Sequence, residues 1–405
     1  YLTLAVWCII AVFKNWKQIS MQLQGIAPAY LAVLAAMVCA SCFMSEILYV
    51  CSPMSFIFWM ALGALMQTVK KENIMQKVLS VSVAAYNVEK FIEQCLDSFI
   101  DPAILDRVEV LVTDDGSKDR TSEIVSAYEK KYPGTFRLIS QKNAGPGSTV
   151  NSGIKHATGK YFRMVDGDDW VNTAQMGAFL DILEKTNADM VCADHCCVDH
   201  ETGQKKEEKT NVAPCMDVPF SSVCDQLTVA MHNVTYRTDI LQKNNIHLDN
   251  CFYTDAEYLM LPTPYIRTVA FLKEIIYMYR VSLSTQSMNI RSLQRNEKMH
   301  RDVIDRLLGE YAEYRKSADW NPQTGSYYCR RIAAMCGTQL SIYLSFDEVA
   351  EYKASTMEFV KNIREKNEDV YKKIMELKTY KLLVYSHFLL FGIIASMHKK
   401  RLGLR

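Results

Sequence analysis

The chain has 405 residues, with 46 basic and 45 acidic side chains and a formal net charge of +1. A chain of this length can bury the cores of two or three domains of ~150 residues each, and its near-neutral charge argues against a polycationic nucleic-acid-binding protein. The 13 cysteines are odd in number and scattered, so we interpret them as reduced thiols rather than as a secreted disulfide scaffold.

The first 70 residues predict a helical segment in the membrane. Residues 1–13 are apolar, which is typical of the tail of a spanning helix whose start precedes the printed sequence. Residues 26–45 and 47–66 carry no charged side chain, and each matches the ~20 residues that cross the ~30 Å hydrocarbon core. We therefore expect a transmembrane helical hairpin within residues 1–70, truncated at its start. A buried hairpin of a soluble protein is the alternative.

Lysines flank this hairpin on both sides. Lys14 and Lys17 precede it, and Lys70, Lys71 and Lys77 follow it. Because cytoplasmic loops collect such charges, both flanks are expected in the cytoplasm. The sequence thus predicts a protein of the cell membrane whose following domain faces the cytoplasm.

Short β-rich runs alternate with amphipathic stretches from residue 77 onward. Strands are predicted at 78–85, 108–113, 136–139 and 161–165, with helices between them at 89–100, 121–132 and 149–157. Such alternation is typical of right-handed crossovers and of a mostly parallel sheet covered by helices. We predict a Rossmann-like α/β domain over residues 77–300.

A helical region is predicted at 301–405. Residues 302–380 repeat apolar positions at helical spacing. The apolar run 382–397 precedes the basic residues 398–401 and is short for a bilayer span. Two interpretations remain open for it, namely a helix at the membrane interface with its basic end against anionic headgroups, and a helix packed in the core.

Polar side chains follow each predicted strand of the α/β domain. The clusters are Tyr86 and Asn87, Asp114 and Asp115, residues 142–147 and residues 166–169. Open parallel sheets bind ligands at the carboxyl ends of their strands, where helix N-termini present unpaired N–H groups. We therefore expect these clusters to form one site.

The most acidic of these clusters is Asp166, Asp168 and Asp169, in the sequence D-G-D-D. Three carboxylates at one strand end are unfavourable unless a cation or a proton compensates them. Mg²⁺ or Mn²⁺ prefers oxygen ligands and commonly joins carboxylates to substrate phosphates. The cluster therefore predicts a metal-bound diphosphate, and a solvated turn is the alternative. No P-loop motif is present, and no G-x-G-x-x-G follows the first strand.

Three segments resemble the family 2 glycosyltransferases: AAYNVEKFIEQCLDSF (84–99), VLVTDDGSKDRT (110–121) and NAGPGSTVNSGIKHATGKYFRMVDGDDW (143–170). The resemblance covers about residues 77–300 and implies a GT-A fold.

Roles for the donor-binding residues follow from the resemblance. It implies that Tyr86 flanks uracil or another donor base and that Asp115 hydrogen-bonds this base. Asp166 and Asp168 are similar to the family's D-x-D pair, which holds the ribose and the metal-bound diphosphate.

Downstream segments add acceptor-side residues. FYTDAEYLMLP (252–262) is similar to the family's acidic motif before a helix. The resemblance implies Asp255 as general base, with Glu257 as a less favoured substitute, because an acceptor hydroxyl must lose its proton as it attacks. It also implies Arg280 or Gln286 as a contact to the diphosphate. The implied mechanism is a single in-line displacement with inversion and without a covalent intermediate.

Two positions depart from the family pattern. Val150 stands where the family usually has an arginine before Asn151, and Gly167 stands where D-S-D-D is common. The first departure removes a polar contact to the donor side. The chain also lacks Q-x-x-R-W, the signature of processive synthases, which disfavours a chain-elongating polymerase.

The resemblance implies a hexosyltransferase that moves a sugar from a nucleotide donor, such as a UDP-sugar, to a hydroxyl of a cell-surface polysaccharide or lipid-linked glycan precursor. One alternative is a polyprenyl-phosphate glycosyltransferase, which would depend less on Asp255. A second is a non-catalytic, membrane-bound scaffold that binds a sugar nucleotide.

The remaining candidate site residues are cysteines and histidines. The run CADHCCVDH (192–200) has the residue types of a zinc site but not its spacing, so we interpret it as reduced thiols and loop histidines. His232 and His300 fit either the acceptor side or a structural role, and the structural role is the more frequent.

Overall fold

A computed structural model describes residues 77–251, 253–282 and 290–404. The predicted transmembrane hairpin lies outside these residues. Among the helices that are described, none combines the length and hydropathy that a bilayer crossing needs.

The first half of the domain has the predicted α/β alternation. Its parallel strands, in the spatial order β3-β2-β1-β4, are β1 Leu79–Ala85, β2 Val108–Asp114, β3 Phe136–Ser140 and β4 Tyr161–Asp166. The intervening helices are α1 Ile92–Asp97, α2 Thr121–Lys131 and α3 Pro146–His156. Nearly every residue of β1, β2 and β4 is buried, as expected for parallel strands covered on both faces.

Strand register brings the ends of β1, β2 and β4 level. Ala85 pairs with Asp114 of β2, and Ala84 pairs with Asp166 of β4. The residues that follow these three strands therefore meet at one edge, as the sequence predicted.

The second half of the sheet is mixed rather than purely parallel. Its strands are β5 Trp170–Val171, β6 Met190–Asp199, β7 Lys205–Glu208, β8 Cys215–Pro219, β9 Val234–Arg237 and β10 Thr268–Val281. Strand β9 lies antiparallel between β4 and β6, and β10 runs parallel to β6. The helices here are α4 Thr173–Lys185, α5 Thr238–Lys243 and α6 Thr254–Met260.

The C-terminal region is helical, as predicted. Its helices are α7 Ile290–Arg295, α8 Glu297–Lys316, α9 Pro322–Tyr343, α10 Val349–Lys366, α11 Glu368–Ile374, α12 Lys378–Tyr385 and α13 Phe391–Arg401. Helix α9 begins with Pro322 after Asn321, whose side chain accepts hydrogen bonds from the backbone N–H groups of Gln323 and Thr324.

The apolar run 382–397 does not form one helix. It is divided between α12 and α13 by a turn in which His387 and Phe388 have φ values of 48° and 57°. Two consecutive left-handed residues cannot continue a right-handed helix. Both earlier interpretations assumed a single helix, and the turn corrects that assumption.

Helix α9 packs against the α/β domain. The ring of Tyr327 lies edge-on to that of Phe220 with centroids 5.4 Å apart. Arg330 donates hydrogen bonds to the carbonyl oxygens of Cys224 and Leu227 at 2.8 and 3.0 Å. These buried contacts hold the helical region beside the half of the sheet that carries β8 and β10.

Candidate active site

The loops after β1 and β2 are hydrogen-bonded to each other. The Asn87 N–H donates to Ser117 Oγ at 3.0 Å, and Asn87 Oδ1 accepts from the Lys118 N–H at 2.7 Å. Asp114 Oδ1 accepts from the Ser117 N–H. Asn87 has φ of 53°, a left-handed conformation that asparagine tolerates. Asn87 and Asp114 thus fix the loops at this edge of the sheet, and Tyr86 lies at the same edge with 50% of its surface exposed.

Asp115 organises the loop after β3. Its side chain is buried, and its carboxylate accepts from the N–H groups of Ala144 and Gly145, both at 2.9 Å, and from Gln141 Nε2 at 2.8 Å. A carboxylate offers about four lone-pair sites, so room for one further donor remains. The hydrogen bond from Asp115 to a donor base stays a prediction, and it would use that remaining site.

The D-G-D-D turn lies close against the end of β1. The Gly167 N–H donates to the Ala84 carbonyl at 2.9 Å, and a Cβ atom at Gly167 would stand 2.8 Å from the same oxygen. A serine at this position would force the turn away from β1. The departure from D-S-D-D therefore has a steric reason in this chain.

Within this turn, Asp169 is the enclosed carboxylate. It accepts hydrogen bonds from the Tyr277 hydroxyl and from the Arg280 backbone N–H, each at 2.7 Å. Asp166 and Asp168 remain partly exposed. The turn therefore anchors one acid to β10 and leaves the other two partly exposed at the edge of the sheet.

Arg280 holds the same turn from the other side. Its guanidinium lies between the rings of Phe91 and Trp170, 4.9 and 4.8 Å from their centroids. Its Nε donates to the Asp168 carbonyl at 2.8 Å, and Nη2 donates to Gln94 Oε1. The guanidinium thus positions the turn through its backbone. The implied contact of Arg280 with a diphosphate stays a prediction.

Helix α6 brings Asp255 close enough to the D-G-D-D turn for its charge to act on Asp166. The pKa of Asp166 is raised, first by burial and then by the negative charges of Asp168 and Asp255. Burial also raises the pKa of Asp168 and of Asp255, although the Asp255 side chain stays reachable from solvent. None of the three forms an ion pair within the described residues. We call Asp166, Asp168, Asp169 and Asp255 the acidic cleft.

Glu257, two residues further on, has different surroundings. Its side chain is fully buried, and Arg306 Nη1 contacts its carboxylate at 2.7 Å and that of Asp249 at 3.0 Å. Glu257 also accepts from the Asp249 N–H at 2.6 Å. We call Asp249, Glu257 and Arg306 the Arg306 cluster. Glu257 therefore supports the chain before α6 and does not face the cleft as an open base.

Helix α3 fixes the approach to α6. Asn151 donates to the Leu248 carbonyl and accepts from the Leu248 N–H, both at 2.8 Å. A Cβ atom at Gly147 would lie 2.0 Å from the Asp249 carbonyl oxygen, so only glycine permits this close approach. Val150, which replaces the usual arginine, is buried in the core.

Asp166, Asp169 and His232 can together hold a cation. One ligand atom from each lies within 4.8 Å of the others. Burial lowers the pKa of His232 to about 3, so its imidazole is neutral, as a metal ligand must be. The two carboxylates supply the oxygen ligands that Mg²⁺ and Mn²⁺ prefer, and the imidazole nitrogen is a better ligand for a transition metal such as Mn²⁺ than for Mg²⁺. Asp166 belongs both to this set and to the predicted pair of Asp166 and Asp168.

Residues 80–251 match the sequence profile described as "Glycosyl transferase family 2". They form a family 2 glycosyltransferase domain. The chain is 29% identical over 218 residues to "Uncharacterized glycosyltransferase EpsJ" of Bacillus subtilis, covering 50% of this chain and 61% of that protein. The chain thus spans about three fifths of the length of this curated relative.

Two further proteins are similar to the chain. "Minor teichoic acid biosynthesis protein GgaB" of Bacillus subtilis is 27% identical over 213 residues, 50% of this chain and 23% of that protein. The solved structure of S. aureus TarS 1–349 in complex with UDP-GlcNAc aligns with a TM-score of 0.53 and 19% identity, covering 80% of this chain and 90% of that one. This likeness supports a GT-A-like fold for the glycosyltransferase domain.

The glycosyltransferase domain gathers most of the predicted site residues at one edge of the sheet. Gln286 lies outside the described residues. The sequence did not indicate His232 as a metal ligand. A short 3₁₀ turn, Met231–Asn233, brings it to the acidic residues of a distant loop. No local motif marks it.

The histidines of the run 192–200 contact different partners. His195 Nδ1 is 3.0 Å from Asn233 Nδ2, and His200 Nδ1 is 3.3 Å from Arg280 Nη1. Cys192 is buried on β6, and all the described cysteines are free thiols. His300 is buried and bonds Gln339 through Nδ1 at 2.7 Å, which is a structural role.

Proposed function

We propose that the protein is a metal-dependent, inverting glycosyltransferase of the hexosyltransferase type. It transfers a sugar from a nucleotide donor to a hydroxyl of a cell-surface polysaccharide or lipid-linked glycan precursor. The observation that carries this proposal is the acidic cleft, in which the charges of Asp168 in the same turn and of Asp255 on a distant helix both act on Asp166. Arg280 and Arg331 act on Asp168 and Asp255 from a distance, but no ion pair within the described residues compensates the repulsion on Asp166. Acids without a direct counter-ion suit a cation and a reacting proton.

The donor side is formed by the loops after β1 and β2. Tyr86 offers an exposed ring against which a base can stack, and Asp115 keeps one acceptor site for its N–H group. TarS, which shares the fold, was solved with UDP-GlcNAc and with UDP, and this supports a UDP-sugar as the donor. Asp166 then faces the ribose and the diphosphate.

The cation would be held by Asp166 together with Asp168, or with Asp169 and His232. Bound Mg²⁺ or Mn²⁺ supplies positive charge for the departing nucleoside diphosphate. The contribution of the chain itself is to hold the carboxylates in position. Tyr277 and Arg280 hold Asp169 and the backbone of Asp168, so that the carboxylates keep their places without a cost of reorganisation.

Asp255 acts as the general base. It accepts the proton of the acceptor hydroxyl as the oxygen attacks the anomeric carbon, while the bond to the diphosphate breaks on the opposite face. Its raised pKa makes its carboxylate a stronger base than a free aspartate. Glu257 does not share this role because Arg306 and the Asp249 N–H occupy its carboxylate.

The proposed location is the cell membrane, with the glycosyltransferase domain facing the cytoplasm, where nucleotide sugars occur. Support comes from the two uncharged runs within residues 1–70 and from the lysines on either side of them. The names of the relatives, among them a teichoic acid biosynthesis protein, support a role in cell-wall or polysaccharide biosynthesis.

The test is hydrolysis of a panel of nucleotide sugars by the full chain, with Mn²⁺ and with a chelator. At least one donor should turn over slowly and only with the cation. Asp168→Asn should lower this turnover on the order of 1000-fold, because the developing diphosphate charge loses its partner. Asp225→Asn, at an exposed position outside the cleft, is the matched control and should retain full turnover.

Three outcomes separate the candidates. Donor binding without turnover, on any acceptor supplied, identifies a scaffold and refutes the proposal. Transfer to a polyprenyl phosphate with full activity in Asp255→Asn identifies the lipid-phosphate enzyme instead. Transfer to a glycan hydroxyl that requires Asp255 supports the proposal.

A further inference from the structure

The end of the helical region exposes an unusual share of large apolar side chains. Six of the eleven such side chains that are exposed among the described residues lie between residues 382 and 402. They are Leu382, Tyr385, Leu389, Ile393, Met397 and Leu402, and we call them the C-terminal apolar surface. Scattered exposed apolar residues are ordinary, whereas a concentration of them marks a contact surface.

Helix α13 is apolar on two opposite faces. Its inner face packs into the protein through Phe391, Ala395 and Lys399, each at most 2% exposed. Leu389, Ile393 and Met397 are 77%, 61% and 68% exposed. Residues two apart on a helix differ by about 200° in direction, so Ile393 and Met397 lie opposite the packed row, and Leu389 is exposed in the turn before α13. Nothing within the described residues covers these three side chains.

The charged side chains within the segment that carries this surface are all of one sign. Residues 377–405 contain six lysines and arginines and no aspartate or glutamate. Lys378 and Lys381 are exposed on α12, and Lys400 and Arg401 are exposed at the end of α13. These four form no ion pair in the part of the chain that the structure describes. Lys399 is buried and pairs with Asp347 at 2.9 Å, so it contributes to packing rather than to the rim.

We propose that the C-terminal apolar surface docks on an anionic lipid bilayer. An apolar row with basic groups at both ends is complementary to the boundary between acyl chains and negatively charged headgroups. Lys381, whose ammonium lies 6.0 Å from the centre of the Tyr385 ring, pairs a basic group with an aromatic ring of the kind found at such boundaries. The docking would keep the glycosyltransferase domain beside a membrane surface.

The test places a photoreactive benzoylphenylalanine at Ile393 in the full chain, and at Met216 as a matched exposed control on β8. Each protein is reconstituted into nanodiscs of phosphatidylcholine alone or mixed with phosphatidylglycerol, and adducts are identified by mass spectrometry. Because the readout is local, insertion of residues 1–70 does not obscure it. We expect lipid adducts at position 393 several-fold above those at position 216, and more with phosphatidylglycerol.

Replacing Lys378, Lys381, Lys400 and Arg401 with glutamine should remove the preference for phosphatidylglycerol while the melting temperature stays unchanged. Adducts at position 393 to a second copy or to residues 1–70, in place of lipid, would overturn the proposal. Equal labelling in the two lipid mixtures would do so as well. The outcome is independent of sugar transfer, so either proposal can fail alone.

Discussion

Asp255 and Glu257 stand two residues apart on α6 and have opposite surroundings. Asp255 belongs to the acidic cleft, where burial raises its pKa and its negative charge helps to raise the pKa of Asp166. Glu257 belongs to the Arg306 cluster, where a guanidinium and a backbone N–H meet a buried carboxylate. Paired acids support the fold, whereas unpaired acids in a cleft are available for chemistry. The difference separates the two roles within one short helix.

Of these two acids, Asp255 should show the larger effect on sugar transfer. Asp255→Asn removes the base and leaves its shape, so transfer should fall on the order of 100-fold, while donor and Mn²⁺ affinities stay near those of the parent. Initial rates with the best donor, combined with calorimetric titration of the donor, measure both quantities. A parallel loss of binding and transfer would assign Asp255 to donor binding instead.

At Glu257, the paired acid, a substitution should lower the free energy of unfolding. Glu257→Gln keeps the size but removes the charge that faces Arg306, at a cost of about 2 kcal/mol, below the range for fully buried pairs because Arg306 is partly exposed. Urea unfolding measures this cost. The turnover of the folded fraction should change much less than in Asp255→Asn.

Arg306→Met in the Glu257→Gln background provides the matched control. Arg306 has then lost one of its two carboxylate partners and keeps Asp249, so removing it should cost less stability than Arg306→Met costs in the parent chain. Additive losses in the double variant would show that the two side chains stabilise the fold separately.

The alternation of strands and helices could be predicted because β1, β2 and β4 are buried on both faces, which produces continuous apolar runs. The acidic edge followed from the same prediction, since level strand ends bring Asp115 and Asp166 together. Strand β9 was not predicted. Its four residues pair antiparallel with β4 and β6, and no local pattern announces a pairing over such a separation.

The finer roles at the site depend on contacts between distant segments. The resemblance favoured Asp255 over Glu257 as the base, and the position of Arg306 adds a physical reason for setting Glu257 aside. Asn151 reaches Leu248, and His232 reaches Asp166, across comparable separations. A single sequence contains no measure of such proximity. The resemblance supplied candidate roles for the site residues, and the packing then distinguished residues that are available for chemistry from residues that support the fold.

A smaller effect is expected at Arg280, which holds the backbone of the D-G-D-D turn. Arg280→Lys keeps the charge but loses the planar fork that contacts Asp168 and Gln94 between two rings. We expect Mn²⁺ affinity to weaken about 10-fold, which corresponds to ~1.4 kcal/mol, with a smaller change in turnover at saturating cation. Because Arg280 acts through the turn, excess Mn²⁺ should rescue activity. A turnover defect that saturating Mn²⁺ leaves unchanged would instead favour a direct contact with the diphosphate.

The smallest effect concerns His300, whose ring packs edge-on to that of Tyr253 at the start of α6, with centroids 4.7 Å apart. Burial lowers the pKa of His300, so the unfolded chain binds a proton first as the pH falls below the ordinary value of ~6.5. The stability that neutral His300 contributes is therefore complete above that pH and is lost below it, by about 1 kcal/mol per pH unit. His300→Gln should reduce this dependence. Urea unfolding of both proteins across this range measures the difference, and identical slopes would show that His300 does not titrate with folding.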